Sequence, residues 1–246
     1  MEQAEDMGKN EPIFNIPSAI VGALGVLFAI HFARLLLPPD LDAEFLWAMA
    51  FVPARYAEGG QEIPGGSFAS VTSFVSYMLV HGDGVHLAVN SIWMLAFGSA
   101  VAKRAGSMRF LLFSLACGIA GALVHLALYF GDLRPVVGAS AAISGQMAAA
   151  LRFILARRGH ISYSSQSIAA LPLATVGETM RNPRILAVVA IWTAVNLIFG
   201  LGFLSFDGSE TGIAWEAHIG GFLLGLLGFG LFDRPQPPPF SAPTMH

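Results

Sequence analysis

Six apolar runs, each near the length of helix that crosses a lipid bilayer, constrain this chain more than any other feature. They cover residues 17–37, 85–102, 108–130, 138–155, 184–203 and 213–232, against a need for about 20 helical residues per crossing. In hydrocarbon every backbone N–H and C=O must be paired within the segment, so such runs are read as helices. Composition agrees. Only 12% of the residues are charged, about half the roughly 25% usual in soluble domains, and the mean hydropathy is +0.65. The predicted fold is an all-α membrane protein built as a bundle of six transmembrane helices. Before the second run lies SFASVTSFVSYMLVHGDG, apolar but interrupted by serines and closed by a Gly-Asp-Gly turn signal. It reads as an interfacial or re-entrant piece, with a continuous span from about Ser70 as its rival.

The flanks divide the chain into residues 1–15, an N-terminal segment; 16–233, the transmembrane domain; and 234–246, a short proline-rich tail. Residues 1–15 are polar and acidic, without the basic start of a secretory signal or the Arg/Ser richness of a transit peptide. From that, a bacterial inner membrane is the expected location. The single cysteine, Cys117, lies in an apolar run and allows no disulfide within the chain. A net charge of −3 with no basic tract argues against nucleic acid as a partner. The oligomeric state is not legible.

Loop charges set the orientation. Lys103, Arg104 and Arg109 follow the second run, and Arg152, Arg157, Arg158, Arg181 and Arg184 surround the connection after the fourth, against Glu178 alone. The alternate connections are acidic: Asp40, Asp42, Glu44, Glu58 and Glu62 against Arg55, then Asp132 with Arg134, then Asp207, Glu210 and Glu216. With six spans both termini are expected to be cytoplasmic. Small residues crowd the later runs, among them Gly221 and Gly225 in a GxxxG pattern. That pattern predicts close packing of the fourth and sixth spans.

Polar residues inside apolar runs carry the functional information. His86 and Asn90 open the second run, Ser140 the fourth, and His218 lies early in the sixth. All three spans run in the same direction, so their N-terminal ends are predicted on one side, facing outward. A serine hydroxyl needs a neighbouring base to become a nucleophile, and histidine has the right basicity. Ser140 stands where a loop enters a helix, so free backbone N–H groups there are available to a developing oxyanion. His86 and Asn90, four apart, share a helical face and offer side-chain donors to the same oxyanion. His218 is then the general base. Each residue also has a plainer role: Ser140 or Ser144 as small packing residues, Asn90 as interhelical glue, His81 as a turn cap, His125 with a local partner. Ser144, one turn deeper, is assigned to packing. A transporter or channel would need charge near mid-membrane, which these runs scarcely hold.

The residues resemble a known family. His81-Gly-Asp-Gly-Val-His86-Leu-Ala-Val-Asn90, Gly138-Ala139-Ser140 and Ala217-His218-Ile219-Gly220-Gly221, in this order and at these spans, are similar to the motifs of rhomboid intramembrane serine proteases. The resemblance implies a six-helix rhomboid-like bundle with a Ser140–His218 dyad lacking an acidic third member. It implies His86, Asn90 and the Ser140 N–H as oxyanion stabilisers, a water-filled cavity opening outward, and no metal or cofactor. The implied substrates are membrane proteins with a transmembrane segment, cut near its outer end where the helix unwinds. Two places depart from the family pattern. Ala141 follows the nucleophile where glycine is usual, so its methyl would narrow the oxyanion site or tighten packing against the sixth span. The first outer loop has Pro53-Ala54-Arg55-Tyr56 in place of a Trp-Arg pair. The rival from another class is a catalytically inactive relative that binds membrane-protein clients, and Ala141 is the feature in its favour.

Overall fold

The computed structural model describes residues 15–155, 165–201 and 214–234. The N-terminal segment before residue 15, the tail beyond 234, and Arg157, Arg158, Asp207 and Glu210 lie outside the described residues, as do the end of the fifth predicted span and the start of the sixth.

The described residues are helical, with one isolated β-bridge. Helix α1 (Ser18–Arg34) is followed by two short helices, α2 (Pro39–Met49) and α3 (Gly66–Ser76). Pro39 at the first helical position, with Asp40 and Asp42 in the first turn, accounts for the start of α2. At 11 residues α3 covers about 17 Å, too short to cross a bilayer. The segment before residue 85 is therefore not a continuous span, and α3 belongs to the cap of short elements beside the bundle.

Helix α4 (Gly84–Trp93) passes through a π-turn at Met94–Gly98 into α5 (Ser99–Ala105), making one helix from Gly84 to Ala105. Its cap is Asp83, whose carboxylate accepts from the His86 N–H at 2.8 Å. The predicted cap, His81, does not fill that place, because a carboxylate two residues later reaches the free N–H groups directly. Helix α6 (Ser107–Leu128) follows, then the central helix α7 (Ser140–Ile154). The short helices α8 (Ser165–Ala170) and α9 (Val176–Met180) precede α10 (Pro183–Gly200) and α11 (Trp215–Gly228), the last extended by a 3₁₀ turn at Phe229–Leu231.

Three of these helices, Gly84–Ala105, Ser107–Leu128 and Pro183–Gly200, are long and apolar enough to cross a membrane, and Ser18–Arg34 and Trp215–Leu231 are shorter apolar helices. The fourth expected span is present and is enclosed within the bundle. Helix α7 has 15 residues, starts at Ser140 rather than at 138, and is buried from Ala141 to Phe153. Surrounded by other helices, it meets no lipid along its length, so the bilayer thickness does not fix its extent. Leu36, Phe68, Val71 and Leu231 are mostly exposed, as expected of a protein solvated by lipid rather than water.

The centre is held by backbone contact between α6, α7 and α11. A Cβ at Gly225 would lie 2.2 Å from the Gly145 carbonyl oxygen, and one at Gly221 only 1.9 Å from that of Ala141. The predicted packing of fourth against sixth spans is thus present, and it runs through both glycines of the GxxxG pattern. At the opposite end from Ser140, the Arg104 guanidinium donates twice to Asp233 at 2.7 Å and once to the Leu171 carbonyl at 2.5 Å. Arg152 donates to the carbonyls of Ala174 and Leu226. Those arginines satisfy orphan carbonyls at helix ends as well as carrying charge.

Candidate active site

The loop entering α7 is fixed before the helix begins. Phe51 and Val136 exchange backbone hydrogen bonds of 3.0 and 2.8 Å, the Ala54 N–H donates to Asp132, and the Gly138 N–H donates to Tyr77 at 2.9 Å. Gly138 takes φ +105°, a conformation that disfavours any residue with a Cβ. Glycine is required there a second time, because a Cβ would lie 2.6 Å from His86 Nε2 and 3.7 Å from Asn90 Nδ2. Both side chains of α4 therefore face the turn two residues ahead of Ser140. Ser140 is the first residue of α7, where backbone N–H groups have no partner within the helix and the dipole is positive.

His218 comes from the first turns of α11, and its Nε2 lies 2.6 Å from Ser140 Oγ. Sequence position separates them by 78 residues; the α7–α11 glycine contact brings them together. Of the expected residues, the fold joins Ser140 directly to His218 and sets His86 and Asn90 against Gly138. Asn90 also donates through Nδ2 to the His86 carbonyl at 3.0 Å, leaving its second N–H free of that bond. Ser144 donates to the Ser140 carbonyl at 2.8 Å and is buried, consistent with a packing role.

Ala141 lies on the packing side, one of the two places expected for it. Its methyl faces α6, where a Cβ at Gly121 would come within 2.7 Å of it, while His86 and Asn90 approach from α4. The Ala141 carbonyl makes the backbone contact with α11, and its side chain lies in the same buried apolar cluster as Ala217 of that helix. A methyl at this position fills the junction of α6 with α7.

Three polar contacts escaped sequence reading. Asn196 on α10 lies 7% exposed and hydrogen-bonds His218 Nδ1 through its Oδ1. His125, expected to find a local partner, instead pairs with Glu216 on α11 at 2.5 Å, both buried. Glu216 is thus part of the first turn of α11 and not an exposed loop acid. Arg55 is 2% exposed and donates to the carbonyls of Trp47 and Ile63, bracing the first loop from within. Each is a lone polar residue beside an apolar run, a signal available in sequence; its partner is not.

The arrangement sets a hydroxyl against an imidazole nitrogen at the mouth of a helix, with side-chain donors close by. That is the geometry required to deprotonate an oxygen nucleophile and to stabilise the oxyanion its attack creates.

Comparison with known proteins agrees with this topology. Residues 69–234 match the Rhomboid domain family. The chain is 30% identical over 159 residues to rhomboid protease GluP of Bacillus subtilis, covering 65% of this chain and 25% of that protein. It is 28% identical over 158 residues to RHOMBOID-like protein 4 of Arabidopsis thaliana, covering 64% and 33%. With RHOMBOID-like protein 5 of the same plant the identity is 30% over 164 residues, covering 66% and 44%. The chain spans less than half the length of each of these relatives. A match across α3 to α11, together with the apolar helices, places this chain in the rhomboid family of integral membrane proteins.

Proposed function

We propose that this protein is an intramembrane serine endopeptidase that cleaves transmembrane segments of membrane-protein substrates by a Ser140–His218 dyad. The observation that carries the reading is the 2.6 Å contact of Ser140 Oγ with His218 Nε2 at the N-terminus of a buried helix. Ser140 gives its proton to His218 and attacks the scissile carbonyl, forming an acyl-enzyme. His218 returns the proton to the leaving amine. Water, activated by the same imidazole, then hydrolyses the ester. The Ser140 N–H, His86 and Asn90 stabilise the oxyanion in both steps. Loop charges support six spans with both termini cytoplasmic and the site toward the outer face.

The alternative, an inactive protein that binds membrane-protein clients, drew on Ala141. Its methyl facing Gly121 weighs against that reading, since it fills a packing junction. A fluorophosphonate probe tests the proposal without a known substrate. Wild-type protein in detergent is expected to label at Ser140, whereas Ser140→Ala and His218→Ala are not. Failure of the wild-type protein to label, together with no cleavage of model transmembrane substrates, would favour the inactive reading.

A further inference from the structure

Asn196 occupies the side of His218 that faces away from Ser140. Its Nδ2 donates to the Trp192 carbonyl at 2.8 Å. A carbonyl only accepts, so this bond fixes which way the amide points. The Oδ1 is thereby turned to His218 Nδ1. An amide oxygen also only accepts, so Nδ1 must carry the imidazole proton. The lone pair is then left on Nε2, 2.6 Å from Ser140 Oγ.

We propose that Asn196 is the positioning residue of the site, selecting the His218 tautomer that can act as base and holding the ring toward Ser140. The inference rests on the dyad reading above and adds a third member from α10. Asn196 belongs to a seam with helical spacing. Trp192 stacks on Phe222 with ring centroids 4.8 Å apart, and a Cβ at Gly200 would lie 2.4 Å from the Trp215 ring. Trp192, Asn196 and Gly200 thus form one face of α10, laid along Phe222, His218 and Trp215 of α11. The hydrogen bond is framed by ring packing on one side and close backbone approach on the other. A neutral amide suits the location. A carboxylate in the same buried place would carry a large desolvation cost, while the amide dipole still stabilises the imidazolium formed when Ser140 loses its proton.

The test compares Asn196→Leu, which keeps volume but no acceptor, with Asn196→Asp, which keeps an acceptor oxygen. Readouts are the labelling rate of Ser140 by a fluorophosphonate, kcat and KM on a model transmembrane substrate, and thermal unfolding of each purified variant. Asn196→Leu is expected to lower labelling and kcat by about 10²-fold, within the range for general-base catalysis, with KM unchanged. Asn196→Asp is expected to recover most of that loss in the folded protein, at a lower unfolding temperature because its carboxylate is buried. A leucine variant that labels at the wild-type rate overturns the proposal and leaves the dyad standing. So does a loss that follows the fall in thermal stability equally in both variants, since that marks Asn196 as packing only. Absence of labelling in the wild type would instead remove the dyad reading itself.

Discussion

The Cα of Gly221 packs directly on the Ala141 carbonyl, so that a Cβ at 221 would lie 1.9 Å from its oxygen. Both sides of this contact are backbone, and neither can rotate away as a side chain would. Gly221→Val is therefore expected to push α11 from α7 and to separate His218 from Ser140. Overpacking usually costs about 1–3 kcal/mol, and a backbone obstacle belongs at the upper end. Thermal unfolding in detergent should show a clear loss of stability, with labelling of Ser140 lost in parallel. A valine variant that is stable and labels normally would mean the helices can part without disturbing the site.

Gly138 makes a different prediction, because its constraint is local. Alanine at φ +105° is strained by about 1–2 kcal/mol, and its methyl would meet the His86 ring. The ring can move, so the fold should survive while the oxyanion side of the site does not. Gly138→Ala is expected to lower the labelling rate by about 10²-fold, the scale of one lost oxyanion donor, with a modest change in unfolding temperature. Gly177→Ala is the control. Gly177 lies in α9 with open space around it, so alanine there should leave labelling unchanged.

Much of the proposed site was readable because the chemistry proposed for it demands polar residues where lipid forbids them. His86, Asn90, Ser140 and His218 stand near the starts of apolar runs, and loop charges predict those starts on one side. Asn196 is equally polar and equally isolated, yet its meaning was hidden. An asparagine in an apolar helix bonds its own backbone as readily as a neighbour, and Asn196 does both. Which face of α10 meets α11 depends on the seam of Trp192 and Gly200, which hydropathy averages away. That α7 is enclosed was hidden for a related reason: a helix surrounded by other helices looks as apolar as one facing lipid.

The His125–Glu216 pair ties the end of α6 to the first turn of α11, two residues ahead of His218. Both partners are 4% exposed. Removing one member leaves the other buried without its partner, at a typical cost of about 3–5 kcal/mol. Glu216→Ala and His125→Ala are each expected to lower the unfolding temperature clearly. Because the cost lies in the orphaned group, the double variant should lose much less than the sum of the two singles. A double-mutant cycle in detergent measures this. Additive losses would show that the two residues do not stabilise the bundle as a pair.

His81 predicts how the protein responds to acid. It lies in the turn before α4, outside the membrane-spanning helices, at 1% exposure. Neither ring nitrogen has a hydrogen-bond partner among the described residues. Burial, reinforced by His86, His31 and Arg34 and opposed by Asp83, pulls its pKa down to about 3. In the unfolded chain it titrates near the ordinary value of about 6.5. On acidification the unfolded chain therefore takes up a proton that the folded protein refuses. Stability from this residue is complete above about pH 6.5 and falls as the pH drops toward 3, by up to about 1.4 kcal/mol per pH unit. His81→Asn, which cannot take up that proton, should unfold at a lower temperature at neutral pH, for loss of the ring's packing, but lose stability less steeply in acid. Unfolding temperatures measured from about pH 7 down to pH 4 for both proteins decide it. Parallel curves would show that His81 is protonated without unfolding, and that the acid sensitivity of the turn resides in another group.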